Sequence, residues 1–170
     1  MPPTKKDYGR QIQFYGENMM QTAAQCTAKN LPTLGIDLTT KSAEWDNKLS
    51  FQLDPVFELP ELVKFLCQRP ITTRMKEFSH NSPAKVLTFR YNTNNQDQAK
   101  FDGTMFVGIF DNKSSVKYHK VIGEKQMFVL RSMAMSQLAK FYECSIYDLI
   151  QLLSIDKSVC KQFISDTKSD

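Results

Sequence analysis

The sequence predicts an α+β protein: two antiparallel β-sheets, each followed by helix, with a long C-terminal amphipathic helix packed on the sheets. Three observations predict it. Between Asn47 and about Asp156, segments of period two give way twice to segments of period three to four. A half-buried strand stands ahead of the first of these, where Leu34, Ile36 and Leu38 face one way and Thr33, Gly35, Asp37 and Thr39 the other. Finally, 170 residues with 41% hydrophobic content suffice for one core, and are too few for two comfortable ones.

In chain order, residues 1 to about 10 are polar and Pro-led, with Lys5, Lys6 and Arg10 against Asp7, and read as a disordered basic arm. The single domain is expected over residues 11–164. Its first stretch is ambiguous: Met19, Met20, Ala23, Ala24 and Cys26 can form a helical stripe, whereas Ile12, Phe14 and Gly16 can open a strand and turn. Local propensity favours helix for Glu17–Ala28. Lys41–Asn47 reads as a hairpin connection, so Lys48–Leu53 should pair antiparallel with the strand after Pro32. Asp54-Pro55 then turns the chain into a helix near Pro60–Arg69, which Pro70 ends.

Thr72–Asn81 is short and mixed and fits an edge strand. Ala84–Tyr91 places Leu87, Phe89, Tyr91 and Lys85 on one face, with Val86, Thr88 and Arg90 on the other. Asn92–Phe101 is long, polar and loop-like. Met105, Val107 and Ile109 share a face opposite Phe106, Gly108 and Phe110, and a turn at Asp111–Ser114 leads into Val116–Ile122. From Glu124 to Tyr142, Met127, Leu130, Ala134, Leu138 and Phe141 recur at helical spacing. Ser145 and Asp148 form a capping pair for helix over Ile146–Leu153, Asp156 can cap a last short one through Phe163, and residues 165–170 read as a disordered tail.

Chemistry is sparse. The chain lacks the phosphate-loop, dinucleotide, zinc-protease and nucleophile-elbow motifs, and its six glycines argue against a phosphate-cradling loop. His80 and His119 share no metal-ligand spacing with the four cysteines, Cys26, Cys67, Cys144 and Cys160, which form no C-x-x-C pair. Carboxylates are scattered where caps and turns use them. The expectation is therefore a non-enzyme with no cofactor, no metal and no small-molecule substrate. The cysteine pattern fits a reducing, cytoplasmic setting, and no stretch approaches the length of a membrane span.

A basic, ring-bearing sheet remains. The net charge of +4, from 22 Lys+Arg against 18 Asp+Glu, leans mildly towards anionic partners. Lys48, Lys76, Lys85, Arg90, Lys117 and Lys120 lie on or beside strands and are candidate phosphate contacts; Trp45, Tyr91 and Tyr118 are candidate stacking platforms. Phe89, Phe106 and Phe110 are interleaved with them. Strand lysines also serve simply as a solvated face and strand rings as core, and Trp45 can equally fold back over a sheet end.

Glu44-Trp45-Asp46-Asn47-Lys48 followed by Leu49–Leu53 resembles the tryptophan-containing turn and strand of the Whirly family of single-stranded nucleic-acid-binding proteins. Glu77-Phe78-Ser79-His80-Asn81 is similar to that family's Glu-Phe-Phe-His-Asp-Pro stretch, and Lys85–Tyr91, Thr104–Asp111 and Tyr118–Phe141 fall where its second sheet and long helix lie. The likeness spans roughly residues 12 to 153. It implies two sheets each followed by helix, a homotetramer, and binding of single-stranded DNA or RNA with little sequence preference. It also implies strand rather than helix over Glu17–Ala28. The family's Lys-Gly-Lys-Ala-Ala-Leu motif falls at Tyr15–Met20, where the glycine stands without either lysine, so assembly beyond a tetramer is not implied.

Two other classes of function compete. Gln137–Ile150 resembles the middle of a helix-turn-helix, which would read duplex DNA, but no Lys or Arg lies between Ser145 and Ser154 to approach phosphates. A helical corner packed on the sheet accounts for it better. The small net charge also admits a protein-interaction scaffold that binds no nucleic acid.

Overall fold

The computed structural model describes residues 9–41, 45–67, 77–94 and 100–154. Strands β1 (Gln11–Phe14), β2 (Asn18–Cys26), β3 (Pro32–Thr40) and β4 (Leu49–Gln52) form one antiparallel sheet in sequential order. Helix α1 (Glu58–Cys67) follows. Strands β5 (Glu77–Asn81), β6 (Lys85–Thr93), β7 (Phe101–Asp111) and β8 (Lys117–Gly123) form a second such sheet, and β8 runs without a loop into α2 (Glu124–Phe141). A 3-10 turn at Trp45–Asn47 and helix over residues 146–154 complete the described elements. No helix among the described residues is long and apolar enough to cross a membrane.

The helix favoured by propensity over Glu17–Ala28 is instead strand β2. Its register decides the matter: Met20 pairs with Phe14 and Leu38, and Thr22 with Ile12 and Ile36, so alternate side chains enter the core. Nine paired residues against β3 outweigh the few tenths of a kcal/mol by which single residues prefer helix. Gly16, at φ +147°, supplies the β1–β2 turn, and Asn30, at φ 60°, the β2–β3 turn. The polar stretch after Tyr91 is shorter as a loop than the sequence implies, because β6 continues to Thr93, β7 begins at Phe101, and the Asn94 N–H donates to the Lys100 carbonyl at 2.8 Å. The expected arm before residue 9, the last helix after Asp156 and the tail lie outside the described residues, as does Lys76.

Asp54 opens α1 by accepting the N–H groups of Val56 and Phe57, each at 2.9 Å, while Glu58 accepts the Asp54 N–H at 2.7 Å. One face of α1 buries Leu59, Leu62, Val63, Phe65 and Leu66. Helix α2 buries Leu130, Ala134 and Leu138 at four-residue spacing, beside Met133 and Gln137, and lies against α1 and β3. Ser145 and Asp148 cap the helix at 146–154 reciprocally, with Asp148 N donating to Ser145 Oγ at 3.1 Å and Ser145 N to Asp148 Oδ2 at 3.2 Å. The core is continuous between the sheets, joining Met20, Leu34, Ile36 and Leu38 of the first to Leu87, Phe89, Met105 and Ile109 of the second.

Two lysine ammonium groups staple the sheets together. Lys85 of β6 donates to the Ser50 carbonyl of β4 at 2.8 Å. Lys120 of β8 donates to the carbonyls of Asn18, at 2.7 Å, and Tyr15, at 3.0 Å. Burial holds the Lys120 ammonium below the ordinary lysine range, and the two carbonyls compensate its lost water.

Candidate nucleic-acid interface

Period-two alternation gives the second sheet an inner face that joins the core and an outer face turned away from it. The register aligns three rows across its outer face: Glu77, Arg90, Phe106 and Val121; Ser79, Thr88, Gly108 and His119; Asn81, Val86, Phe110 and Lys117. Gly108 is what lets the middle of this face become flat. A Cβ at that position would lie 2.8 Å from the Phe106 ring, so the ring leans over the bare glycine. The Arg90 guanidinium sits 5.1 Å from the Phe106 centroid, and the His119 ring lies near-parallel to it, at 5.5 Å and 19°. Three flat groups on three neighbouring strands thus form a ladder across the sheet.

Beside the ladder a groove of about 470 Å³ runs towards Phe110 and Lys117, floored by Thr88 and Gly108, with Glu77 at its β5 side. That volume is within the usual range of sites for small organic groups. Phe110 and Val121 expose 37% and 50% of their surfaces, and the Lys117 ammonium is in solvent. The chemistry this face offers is stacking on rings and guanidinium, with two cations within reach of an anionic backbone.

Of the candidate residues that the structure describes, only Arg90 and Lys117 lie on this face. Lys48 lies at the other sheet, paired with Asp37 at 2.7 Å. Lys85 and Lys120 are corrected from phosphate contacts to the inter-sheet staples described above, since their ammonium groups are spent on carbonyls. Tyr91 is likewise corrected from stacking platform to core: it is buried, stacks on Phe65 at 4.7 Å and donates to the Phe65 carbonyl at 3.2 Å, and burial pushes its hydroxyl up to about 12. Tyr118, paired with the buried Ile109, packs against the core from the inner face. Trp45 is half-buried in the 3-10 turn, and Lys76 lies outside the described residues.

Residues missed by counting cations are the ones that shape the face. Phe106, Gly108 and Phe110 alternate along one strand, and a glycine between two phenylalanines on a solvent face is the signal that would have found them. His119 and Glu77 carry no such signal, because their places follow from cross-strand register.

The stretch that resembles a helix-turn-helix is a helix, a short turn and a second helix. Gln137, Leu138 and Ala139 are buried in α2, Glu143 leaves the helix at φ 52°, and Leu149 is buried in the next helical run. That segment is a corner packed on the domain, with Tyr142, Ile146, Tyr147 and Ile150 on its exposed side.

No protein-family profile matches the chain, and neither does any curated protein. The crystal structures of Trypanosoma bruciei MRP1/MRP2 are similar at a TM-score of 0.48 and 10% identity, over 80% of this chain and 86% of that one. A likeness at that level bears on neither family nor activity.

Proposed function

We propose that this chain is a non-catalytic binder of single-stranded nucleic acid, DNA in preference to RNA, and that the outer face of the second sheet is its binding surface. The observation that carries the reading is the Arg90–Phe106–His119 ladder, seated over Gly108 and opening onto a groove with Lys117 at its far end. Unpaired bases stack on flat side chains, and duplexed ones are already stacked on each other. No residue of α2 is among those that line the groove, which supports an outer face open to a polynucleotide.

The chain acts, on this reading, as a homo-oligomer that protects or presents single strands in a reducing cytoplasmic setting. The four exposed apolar side chains Tyr142, Ile146, Tyr147 and Ile150 support self-association, because monomers seldom leave such a cluster in water. Cys26 and Cys144, which form no disulfide among the described residues, support the setting. A tetramer is the assembly implied by the resemblance, and light scattering measures it.

Fluorescence anisotropy with single-stranded and duplex oligonucleotides over a salt series tests the binding. Single strands should bind more tightly, and Lys117→Ala should lower the salt slope by about 0.7. Duplex preference, or equal binding by a variant stripped of Arg90, Phe106 and Lys117, sinks the reading.

A further inference from the structure

A carboxylate is out of place on a face meant only for a phosphate backbone, yet Glu77 lines the groove beside the ladder. It is paired in register with Arg90 on the neighbouring strand, which puts their Cβ atoms about 4.5–5.5 Å apart. The side chain is exposed, and it makes no hydrogen bond or ion pair among the described residues. Its two oxygens accept hydrogen bonds and repel phosphate. What they suit is a donor-bearing base edge presented by a ring that is stacked on the ladder.

Resting on the reading of this face as a single-strand site, we propose that the groove holds one guanine, with Glu77 accepting from its N1–H and N2–H. Guanine is the base with two adjacent donors on its Watson–Crick edge. Adenine and cytosine place an amino donor beside a ring-nitrogen acceptor that would repel the second carboxylate oxygen, and thymine or uracil flanks one imino donor with two carbonyls. The ladder supplies stacking to any base, whereas Glu77 supplies the preference. Elsewhere along the strand, contacts with the backbone remain indifferent to sequence.

The test uses short oligothymidylates carrying one central guanine, adenine or cytosine, with unsubstituted oligothymidylate as reference, against the full chain and its Glu77→Gln variant. A single guanine avoids four-stranded structures. The guanine oligomer is expected to bind about tenfold more tightly than the reference, and the preference to fall below about twofold in Glu77→Gln, whose amide offers one acceptor and two misplaced donors. Unsubstituted oligothymidylate is the reference for each protein, so a general change in affinity that follows loss of the charge cancels from the guanine preference. Equal binding of all four oligomers overturns the guanine site and leaves the single-strand reading standing. A guanine preference that survives Glu77→Gln also overturns it. Failure of every oligomer to bind overturns both.

Discussion

The two sheets are built alike, each from four antiparallel strands in sequential order, but their outer faces carry opposite chemistry. On the first, polar side chains bond to one another. Gln13 donates to Gln21 at 2.8 Å, Gln21 to Asp37 at 3.3 Å, and Lys48 to Asp37 at 2.7 Å, a row that crosses all the strands to the residue preceding β4. A second link joins Gln52 to Gln25 at 3.0 Å, and the Gln25 amide lies over Gly35. Asp37, Thr33 and Thr39 are buried beneath this layer. On the second sheet, rings and cations occupy the same outward positions, and its groove is lined by a carboxylate, Glu77, with no partner among the described residues. A face whose hydrogen bonds close on themselves stabilises the fold and has little left for a partner; a face of stacked planes and solvated charge retains its capacity to bind.

This contrast breaks most sharply at Phe106. Phe106→Ala should weaken single-strand binding by about 1–3 kcal/mol, the worth of one stacked base, and leave the thermal midpoint nearly unchanged because the ring lies outside the core. The next largest effect has the opposite signature. Asp37→Ala removes the acceptor shared by Gln21 and the one-third exposed Lys48, and should cost about 1–2 kcal/mol of folding stability after allowing for solvent screening at Lys48. Binding of oligothymidylate should not change. Urea denaturation and anisotropy on both variants measure the two axes, and a loss of binding in Asp37→Ala at unchanged stability would show that the first sheet also contacts the ligand.

The sequence made the sheets readable and the binding face only partly so, for identifiable physical reasons. Alternation assigned the faces of β6 and β7 correctly, but β3, expected to be half-buried, is buried on both faces, because Thr33, Gly35, Asp37 and Thr39 are covered as well as Leu34, Ile36 and Leu38; the pairing of β3 with β4 followed from the turn formers between them. β2 defeated local propensity because strand pairing is a long-range term that no window of residues contains. Cations were the poorest guide. Lysines at 85 and 120 alternate onto inner faces, where their long stems reach across to the other sheet, so a charge in a strand reported on architecture rather than on a ligand. Arg90 and Lys117 belong to the outer parity, and they are the two that lie on the outer face. The parity of each lysine was visible in the sequence; which face of the second sheet lay against the first was not.

A smaller effect concerns the acid sensitivity of the second sheet. Asp111 closes the β7–β8 turn of the second sheet, accepting the N–H groups of Lys113 at 2.8 Å and Ser114 at 3.2 Å. Those backbone donors, with Lys85 nearby, hold its carboxyl below its ordinary value of 3.8. A depressed carboxyl binds its proton more readily in the unfolded chain, so its stabilising contribution is complete above about pH 3.8 and is lost as pH falls through the lower folded value. Asp111→Asn keeps an acceptor and discards the titration. Its urea midpoint should therefore lie slightly below that of the parent at neutral pH, and the gap should narrow as acid protonates the parent's carboxyl. Anisotropy over the same range should show binding fall in step with the loosening of this turn, because the turn fixes Lys117 and Phe110 at the end of the groove. A gap that widens on acidification would mean that the Asp111 carboxyl is not held by its turn in the folded protein.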